Sequence, residues 1–316
     1  MNMNVCFMFP GQGTQKPGML KTLGNEIENV EEVFTIAQQA TGRDIKDLCL
    51  NANAETLKKT ENTQLAVTAM NLSYLTLLQK EGIKPDIVLG HSLGQYSAFV
   101  AAGVLTMEQV FQLVEKRAEL MAQCQKEGML CSVLGLNFKQ VDFICKEVDP
   151  SQKELVVALH NTENQIVIGG NPDYVSKAEI KCKEKGALRT VPIRVSNAFH
   201  TPLMKEMEDT FMAYVDEMEF KIPKTKLMLN CKGDYATDIE DIKNEIRNQC
   251  CHTVLWNDGV KKIIEFEKDL IFAEVGVGKV LTGMMRSINP KQKVWMISNV
   301  KQRNQLIHYV KEDSHV

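Results

Sequence analysis

The spacing of apolar residues divides the chain into short strands and longer helices. Residues 5–9 and 87–89 are apolar runs typical of buried strands. Residues 62–79 carry leucines and methionine at roughly helical spacing, and a further helix is predicted to begin at Thr106, whose spacing to Gln109 matches a capping box. Strands that alternate with helices indicate an α/β layer architecture with a mainly parallel sheet.

The pattern changes between about residues 129 and 195. Four strands and two helices are predicted there, in the order 130–136, 141–148 (helix), 155–159, 165–168, 172 to about 185 (helix) and 189–195. The second helix has Asn171 as a cap, Pro172 at its first position and Gly186 at its end. The order βαββαβ is the ferredoxin-like arrangement, which can form an inserted domain. We therefore predict a large domain of residues 1–127 plus 197–316 and a small domain of residues 128–196.

Composition narrows the functional classes. The chain has 316 residues, is 44% hydrophobic and 24% charged, and has a net charge of −3, so no basic excess points to nucleic acid. Its start lacks the features of a signal peptide, and no apolar run reaches the length of a membrane helix. Nine cysteines without regular spacing suit reduced thiols in the cytoplasm. The Cys250-Cys251-His252 sequence does not predict zinc, because no second Cys/His pair lies nearby. We expect a monomer.

The sequence Gly90-His91-Ser92-Leu93-Gly94 is the most informative motif. It fits the G-x-S-x-G pattern between a predicted strand and a predicted helix, where a serine on a sharp turn can act as a nucleophile. Flanking glycines allow the strained backbone of such a turn and the close packing of the helix. The alternative interpretation is an ordinary glycine-rich turn.

A serine needs a neighbouring base, and His200 is the better of the available histidines. His91 adjoins Ser92, but adjacent side chains on a sharp turn normally point apart. His200 lies just before a predicted helix with Thr201 as cap and Pro202 at its first position, so the positive end of that helix is expected to keep the imidazole neutral. The other interpretation of His200 is a structural or exposed histidine.

No acidic residue has an obvious position to complete a catalytic triad. Glu206 and Asp209 lie one or two turns into the predicted helix after His200, where they would face away from the ring. The sequence is therefore compatible with a Ser–His dyad whose imidazole is oriented by a backbone carbonyl.

Two further positions suggest how a substrate is held. Arg117 falls on the apolar face of the helix from Thr106, so its guanidinium needs an anionic partner, either a structural carboxylate or a carboxylate of the substrate. The Pro10–Gly13 turn frees the backbone N–H of Gln12, which together with that of Leu93 would form an oxyanion hole. In isolation this segment is simply a turn.

These motifs together closely resemble malonyl-CoA:acyl carrier protein transacylases and the wider acyltransferase family of fatty acid and polyketide synthases. The resemblance spans nearly the whole chain. It is carried by Phe9-Pro-Gly-Gln-Gly-Thr-Gln15, Asn62-Thr-Gln64, Gly90-His-Ser-Leu-Gly-Gln-Tyr-Ser-Ala98, Arg117, Asn161, Ala198-Phe-His200, Gln249, Trp256 and Glu274-Val-Gly-Val-Gly-Lys279. It implies an α/β-hydrolase-like large domain with a ferredoxin-like insertion.

The resemblance also implies a role for each site residue. Ser92 would carry the acyl group, His200 would be its base and acid, and the N–H groups of Gln12 and Leu93 would hold the oxyanion. Arg117 would bind the free carboxylate of malonate, and Gln249 would orient His200 through its main-chain carbonyl. Gln64 and Asn161 would line or support the site. No bound cofactor is implied; malonyl-CoA and the phosphopantetheine thiol of an acyl carrier protein would be the substrates.

The chain departs from the family pattern at three places. The segment after Gln249 lacks the usual proline and has Thr253 before Val254, which is expected to loosen the loop that presents the carbonyl. Val277 stands where proline is common, and Gln95 replaces the frequent glutamate, as in some acyltransferases of polyketide systems. None of these changes removes a reacting group.

Phe199 bears on the choice of acyl group. Ala198-Phe199-His200 resembles the ending typical of malonyl-selective enzymes, and a bulky side chain beside the pocket would crowd a methyl branch. One methyl group is worth about 1–3 kcal/mol, so the selectivity against methylmalonyl is expected to be incomplete.

The acidic carrier protein that the resemblance implies has a candidate docking surface. Residues 177–189 contain five cations and two acids, namely Lys177, Lys181, Lys183, Lys185 and Arg189 against Glu179 and Glu184. This face either steers the carrier or is an ordinary solvated helix face.

Two other functions compete with transfer. An acyl-thioester hydrolase would use the same Ser–His pair, and a carrier-binding module without catalysis would need neither residue. Within the transacylase interpretation, fatty acid synthesis and a trans-acting role in polyketide synthesis both stay open.

Overall fold

The computed structural model describes residues 4–124, 126–193, 195 and 197–313. Its larger sheet has five parallel strands in the order β7-β2-β1-β8-β9. The strands are β1 Asn4–Phe9, β2 Ile87–Gly90, β7 Lys226–Leu227, β8 Leu270–Val275 and β9 Val294–Ile297. In β1 and β2, Phe9 is in register with Gly90, so the two loops that follow leave the same edge of the sheet side by side.

Helices cover this sheet. They are α1 Glu31–Thr41, α2 Ile45–Asn51, α3 Ala54–Lys58, α4 Thr60–Lys80, α5 Gly94–Ala101, α6 Met107–Gln123, α9 Glu208–Asp216, α10 Ile239–Gln249, α11 Trp256–Phe266, α12 Val280–Ile288 and α13 Val300–Asp313, with 3-10 turns at Met19–Glu26, Glu28–Val30 and Pro202–Met207. Helix α4 is buried around most of its circumference, including polar residues such as Gln64 and Asn71. The predicted capping box of α6 is confirmed, with Thr106 and Gln109 exchanging both hydrogen bonds.

The smaller sheet has four antiparallel strands in the order β4-β5-β3-β6. Its elements are β3 Met129–Leu134, α7 Phe138–Val148, β4 Leu155–Thr162, β5 Gln165–Gly170, α8 Pro172–Glu184 and β6 Arg189–Ile193. The predicted βαββαβ order and the predicted start of α8, with Asn171 as its cap, are confirmed. The fold class is thus a parallel α/β layer with a separate ferredoxin-like sheet.

The domain boundaries at residues 127/128 and 196/197 stay a prediction, and residues 1–3, 125, 194, 196 and 314–316 of the predicted domains lie outside the described residues. An apolar cluster joins Leu130, Ala158 and Val167 of the smaller sheet to Ala198 and Leu203. The segment that carries His200 therefore packs against the smaller sheet. Within the described ranges, no helix is both long and apolar enough to cross a membrane.

Candidate active site

The nucleophile motif forms the predicted sharp turn between β2 and α5. Ser92 has a φ of 50°, in the left-handed region that costs a non-glycine residue free energy. A side chain at Gly90 would overlap the backbone of Gly94, and one at Gly94 would overlap the carbonyl of Phe9 in β1. Both glycines are therefore required by close backbone contacts.

The structure brings His200 to Ser92. The Ser92 Oγ lies 2.8 Å from His200 Nε2, and His200 Nδ1 lies 2.6 Å from the main-chain oxygen of Gln249. Because a carbonyl can only accept, the Nδ1–H donates to it and Nε2 is left free to accept the serine proton. In the part of the chain that the structure describes, no carboxylate hydrogen-bonds to His200; Glu206 instead pairs with Lys126 at 3.0 Å.

The imidazole of His200 is held neutral. Burial, with smaller contributions from the positive charge of Arg117 and from the nearby His91, lowers the pKa of His200 to about 3, against the opposing hydrogen bond to Gln249. Thr201 and Pro202 occupy the predicted cap and first positions, but the element is a 3-10 turn, and the Thr201 hydroxyl donates to the carbonyl of Ala198 at 2.6 Å instead of accepting a capping hydrogen bond. Desolvation, not a helix terminus, is the main cause of the neutral state.

Arg117 is a buried cation held by amides. Its side chain is 1% exposed and packs over the ring of Tyr96. Its two terminal nitrogens donate to the Oε1 atoms of Gln64, at 2.6 Å, and Gln249, at 3.2 Å. Among the described residues, no carboxylate forms a salt bridge with Arg117, and its Nε has no acceptor. The structural-carboxylate alternative is therefore contradicted.

The N–H groups expected for the oxyanion hole are unoccupied by protein acceptors. The loop after β1 packs on the nucleophile turn, since a side chain at Gly11 would press on the carbonyl of His91. Across the described ranges, the N–H groups of Gln12 and Leu93 have no protein acceptor, whereas the N–H of Ser92 donates to Asn230 Oδ1 at 2.8 Å. The roles of Gln12 and Leu93 stay a prediction.

One cleft of about 860 Å³ contains most of the predicted residues. It is lined by Gln12, Ser92, Leu93, Arg117, Phe199 and His200, with apolar walls from Met121, Leu130 and Leu159 and with Lys58 and Lys59 among its other residues. Gln64 contributes indirectly, through Arg117. Asn161 Oδ1 accepts a hydrogen bond from His91 Nε2 at 2.8 Å, so His91 interacts with Asn161. Burial lowers the pKa of His91.

The loop after Gln249 is firmly attached, contrary to the expectation from its missing proline. The hydroxyl of Thr253, which stands in the place of that proline, donates to the carbonyl of Val157 in β4 at 2.6 Å. The backbone N–H of His200 donates to the carbonyl of Cys250 at 2.8 Å. The threonine side chain thus supplies an attachment that the sequence pattern did not indicate.

Asn230 was not predicted from the sequence, yet its side chain hydrogen-bonds to three residues of the nucleophile turn. Its only signal in the sequence is a polar residue directly after the apolar 227–229 segment. Within the ranges that the structure describes, no group of three potential metal ligands occurs.

Comparison with known proteins agrees with this geometry. The profile of the family described as acyl transferase domain matches residues 6–300. The malonyl CoA-acyl carrier protein transacylase of Staphylococcus aureus (strain MSSA476) is 36% identical over 298 residues, covering 94% of this chain and 96% of its own.

Solved structures of similar proteins superpose over almost the whole chain. The malonyl CoA-acyl carrier protein transacylase from Clostridium perfringens has a TM-score of 0.92 at 31% identity and covers 98% of both chains. A malonyl-transacylase in complex with its type II PKS acyl-carrier protein has a TM-score of 0.92 at 31% identity and covers 97% of this chain and 99% of its own. The chain therefore belongs to the malonyl CoA-acyl carrier protein transacylases, within the acyl transferase domain family.

Proposed function

We propose that the protein transfers a malonyl group from malonyl-CoA to the phosphopantetheine thiol of an acyl carrier protein through a malonyl-serine intermediate. The observation that carries the proposal is the buried Arg117, a cation that has no counter-ion among the described residues and lies in the same cleft as the Ser92–His200 pair. A guanidinium presents two parallel donors to a carboxylate, so a dicarboxylic acyl group is the substrate that this cleft fits best.

The first half of the reaction loads the serine. Ser92 Oγ attacks the thioester carbonyl while its proton passes to His200 Nε2. The N–H groups of Leu93 and Gln12 stabilise the oxyanion of the tetrahedral intermediate. The intermediate collapses as the C–S bond breaks, and the leaving thiolate takes the proton from His200, which gives malonyl-Ser92 and free CoA.

The second half reverses these steps with a new thiol. His200 takes the proton of the carrier thiol, the sulfur attacks the malonyl-serine carbonyl, and the C–O bond to Ser92 Oγ breaks as the oxygen is reprotonated. Arg117 holds the malonate carboxylate in both halves, with Gln64 and Gln249 fixing its guanidinium. Phe199 shapes the acyl pocket, and Asn161 supports the site through His91.

The main alternative is a hydrolase, in which water takes the acyl group from the same serine. Arg117 favours a malonyl donor but does not by itself distinguish the acceptor. Because both reactions share malonyl-Ser92, the first test is its formation. Intact mass after incubation with malonyl-CoA is expected to show one malonyl adduct on the unmodified protein and none on Ser92→Ala; an adduct of equal amount on Ser92→Ala would contradict the proposal.

The exposed face of α8 is our candidate for carrier docking. The structure pairs Lys181 with Glu147 and Lys183 with Glu179, so these cations are partly neutralised. No salt bridge is found for Lys177, Lys185 or Arg189 among the described residues. These three charges support steering of an acidic partner.

The catalytic groups of one chain complete the site, which supports a monomer as the working form. All nine cysteines are free thiols, most of them buried. A reducing compartment such as the cytoplasm suits them.

A further inference from the structure

Asn230 connects both sides of the nucleophile turn. Its side chain is 3% exposed and lies beyond the end of β7. Its Oδ1 accepts the backbone N–H of Ser92 at 2.8 Å, and its Nδ2 donates to the carbonyl of Gly90 at 2.7 Å and to Gln95 Oε1 at 2.6 Å. One carboxamide thus contacts the last residue of the strand, the nucleophile and the first turn of the helix.

Gln95 hydrogen-bonds both to Asn230 and to the backbone just before Asn230. The Nε2 of Gln95 donates to the carbonyl of Met228 at 3.1 Å, and the side chain is fully buried. The backbone around Asn230 is itself fixed, since the N–H of Cys231 donates to Glu245 at 2.8 Å. Each of the two carboxamides therefore donates hydrogen bonds through its nitrogen and accepts one through its oxygen. An ionised carboxylate in either place could only accept.

The network acts where the backbone is strained. Ser92 is at a φ of 50°, and such a residue keeps its conformation only when its surroundings determine it. The bond from Ser92 N–H to Asn230 holds the peptide in this conformation. It also occupies the N–H of the nucleophile, which leaves the N–H groups of Leu93 and Gln12 to receive an oxyanion.

We infer that Asn230, supported by Gln95, is a positioning residue that sets the direction of Ser92 Oγ and limits the oxyanion hole to two N–H groups. The inference rests on the proposed function only in taking Ser92 as the nucleophile. Asn230 touches none of the groups that bind malonate, so its removal is expected to slow acylation and to leave the KM for malonyl-CoA unchanged.

The test compares Asn230→Ala with Asn257→Ala. Asn257 is 1% exposed, and no hydrogen bond links its side chain to the nucleophile turn among the described residues. The readout is the rate at which a small fluorophosphonate labels Ser92, because this reagent needs the serine and the oxyanion hole but not Arg117. Labelling of Asn230→Ala is expected to be about 10- to 100-fold slower, the usual effect of a misplaced reacting group, with Asn257→Ala unchanged.

A second variant covers the case in which Asn230→Ala does not fold. Asn230→Asp keeps the acceptor for Ser92 N–H but loses both donated hydrogen bonds while it is ionised. Its protonated carboxyl can donate one of them again, so its labelling rate relative to the unmodified protein is expected to rise as the pH falls from 8 to 5. The neutral His200 is unaffected over this range.

The outcomes separate the two claims. No labelling of the unmodified protein would remove Ser92 as nucleophile and with it the proposed function. Normal labelling of the unmodified protein, with Asn230→Ala within twofold of it or Asn257→Ala equally slow, would overturn the role of Asn230 alone. For Asn230→Asp, a relative rate that does not change with pH would overturn it as well.

Discussion

Arg117 combines a high desolvation cost with incomplete hydrogen bonding. A buried guanidinium without a counter-ion is destabilising, and its Nε lacks an acceptor within the described ranges. The amide oxygens of Gln64 and Gln249 hold it in a fixed orientation but do not neutralise it. The free carboxylate of a bound malonyl group would do so, and the same argument predicts that an acyl group without a carboxylate is a poor substrate.

Arg117→Ala tests this selectivity. Loss of a buried charge-assisted contact costs about 2–5 kcal/mol, so the rate of malonyl loading is expected to fall by at least about 30-fold. Acetyl loading is expected to rise, because acetyl needs no counter-ion. Rates of adduct formation by intact mass with malonyl-CoA and acetyl-CoA measure both, with Ser92→Ala as the control that accepts neither group. An unchanged ratio of the two rates would contradict the assignment of Arg117.

The lowered pKa of His200 predicts that activity does not fall at mildly acidic pH. The base works as neutral imidazole, so activity falls only when the pH drops toward its pKa of about 3. The kcat/KM for malonyl-CoA is therefore expected to stay level between pH 8 and pH 5. A tenfold decrease per pH unit below about 6.5 would instead indicate an ordinary exposed histidine and would refute the burial argument.

At the scale of elements, the site depends on segments that approach it from distant parts of the chain. Helix α10 ends at Gln249, which contacts His200 with its carbonyl and Arg117 with its side chain. The loop that follows is attached to β4 of the smaller sheet through Thr253. The position of His200 is therefore coupled to α10 and to the smaller sheet.

Thr253→Val removes the hydroxyl and keeps the shape of the side chain. We expect a loss of about 1 kcal/mol in the free energy of unfolding, measured by urea denaturation, because the carbonyl of Val157 loses a donor. Thr253→Ser, which keeps the hydroxyl, is the matched control and should lose less. A larger loss in Thr253→Ser than in Thr253→Val would mean that the methyl group, not the hydrogen bond, holds the loop.

Glu245 in α10 predicts a pH dependence of stability. Burial raises the pKa of Glu245 to about 7, and its Oε1 has no partner among the described residues. The folded state therefore retains a proton that the unfolded state releases above its ordinary pKa, and this stabilisation is lost as the pH rises through 7.

Glu245→Gln should remove this dependence. Relative to the unmodified protein, its free energy of unfolding is expected to gain about 2 kcal/mol between pH 5 and pH 8. The comparison of the two proteins cancels the opposite contribution of His200. A difference that stays constant with pH would show that Glu245 is ionised throughout.

For the whole molecule, the sequence was sufficient to predict the fold class and the pairing of Ser92 with His200. The spacing of apolar residues and the helix caps at Thr106 and Asn171 involve residues that are close together in the chain. Such local features can be predicted from the sequence alone. Ser92 and Arg117 were found for the same reason, one by a turn motif and the other by its place on an apolar face. The role of Asn230 could not be predicted, because it depends on a hydrogen bond to Ser92, 138 residues away in the chain.

The cause of the neutral His200 also required the structure. A helix start after Thr201 is a local explanation, whereas the burial of His200 is a property of the assembled fold. The same holds for Thr253, whose hydroxyl acts on a strand that is remote in sequence.

Carrier docking is a property of the whole surface. Lys185→Glu, at the C-terminal end of α8, is expected to raise the apparent KM for carrier protein about three- to tenfold at low salt. The effect should be smaller at high salt, because salt screens surface charges. Lys84→Glu makes the same charge change before β2, at the edge of the parallel sheet opposite the site, and should have no effect. Equal KM values for the two variants at low salt would exclude α8 as the docking surface.

The most direct test of the account is the fate of the acyl group on Ser92. The unmodified protein is loaded with malonyl-CoA, freed of excess substrate, and followed by intact mass with and without phosphopantetheinylated carrier protein. We predict a malonyl-enzyme that persists in buffer and is discharged rapidly by the carrier, which gains the malonyl mass. Release of free malonate at the same rate with and without carrier would contradict transfer and establish the hydrolase.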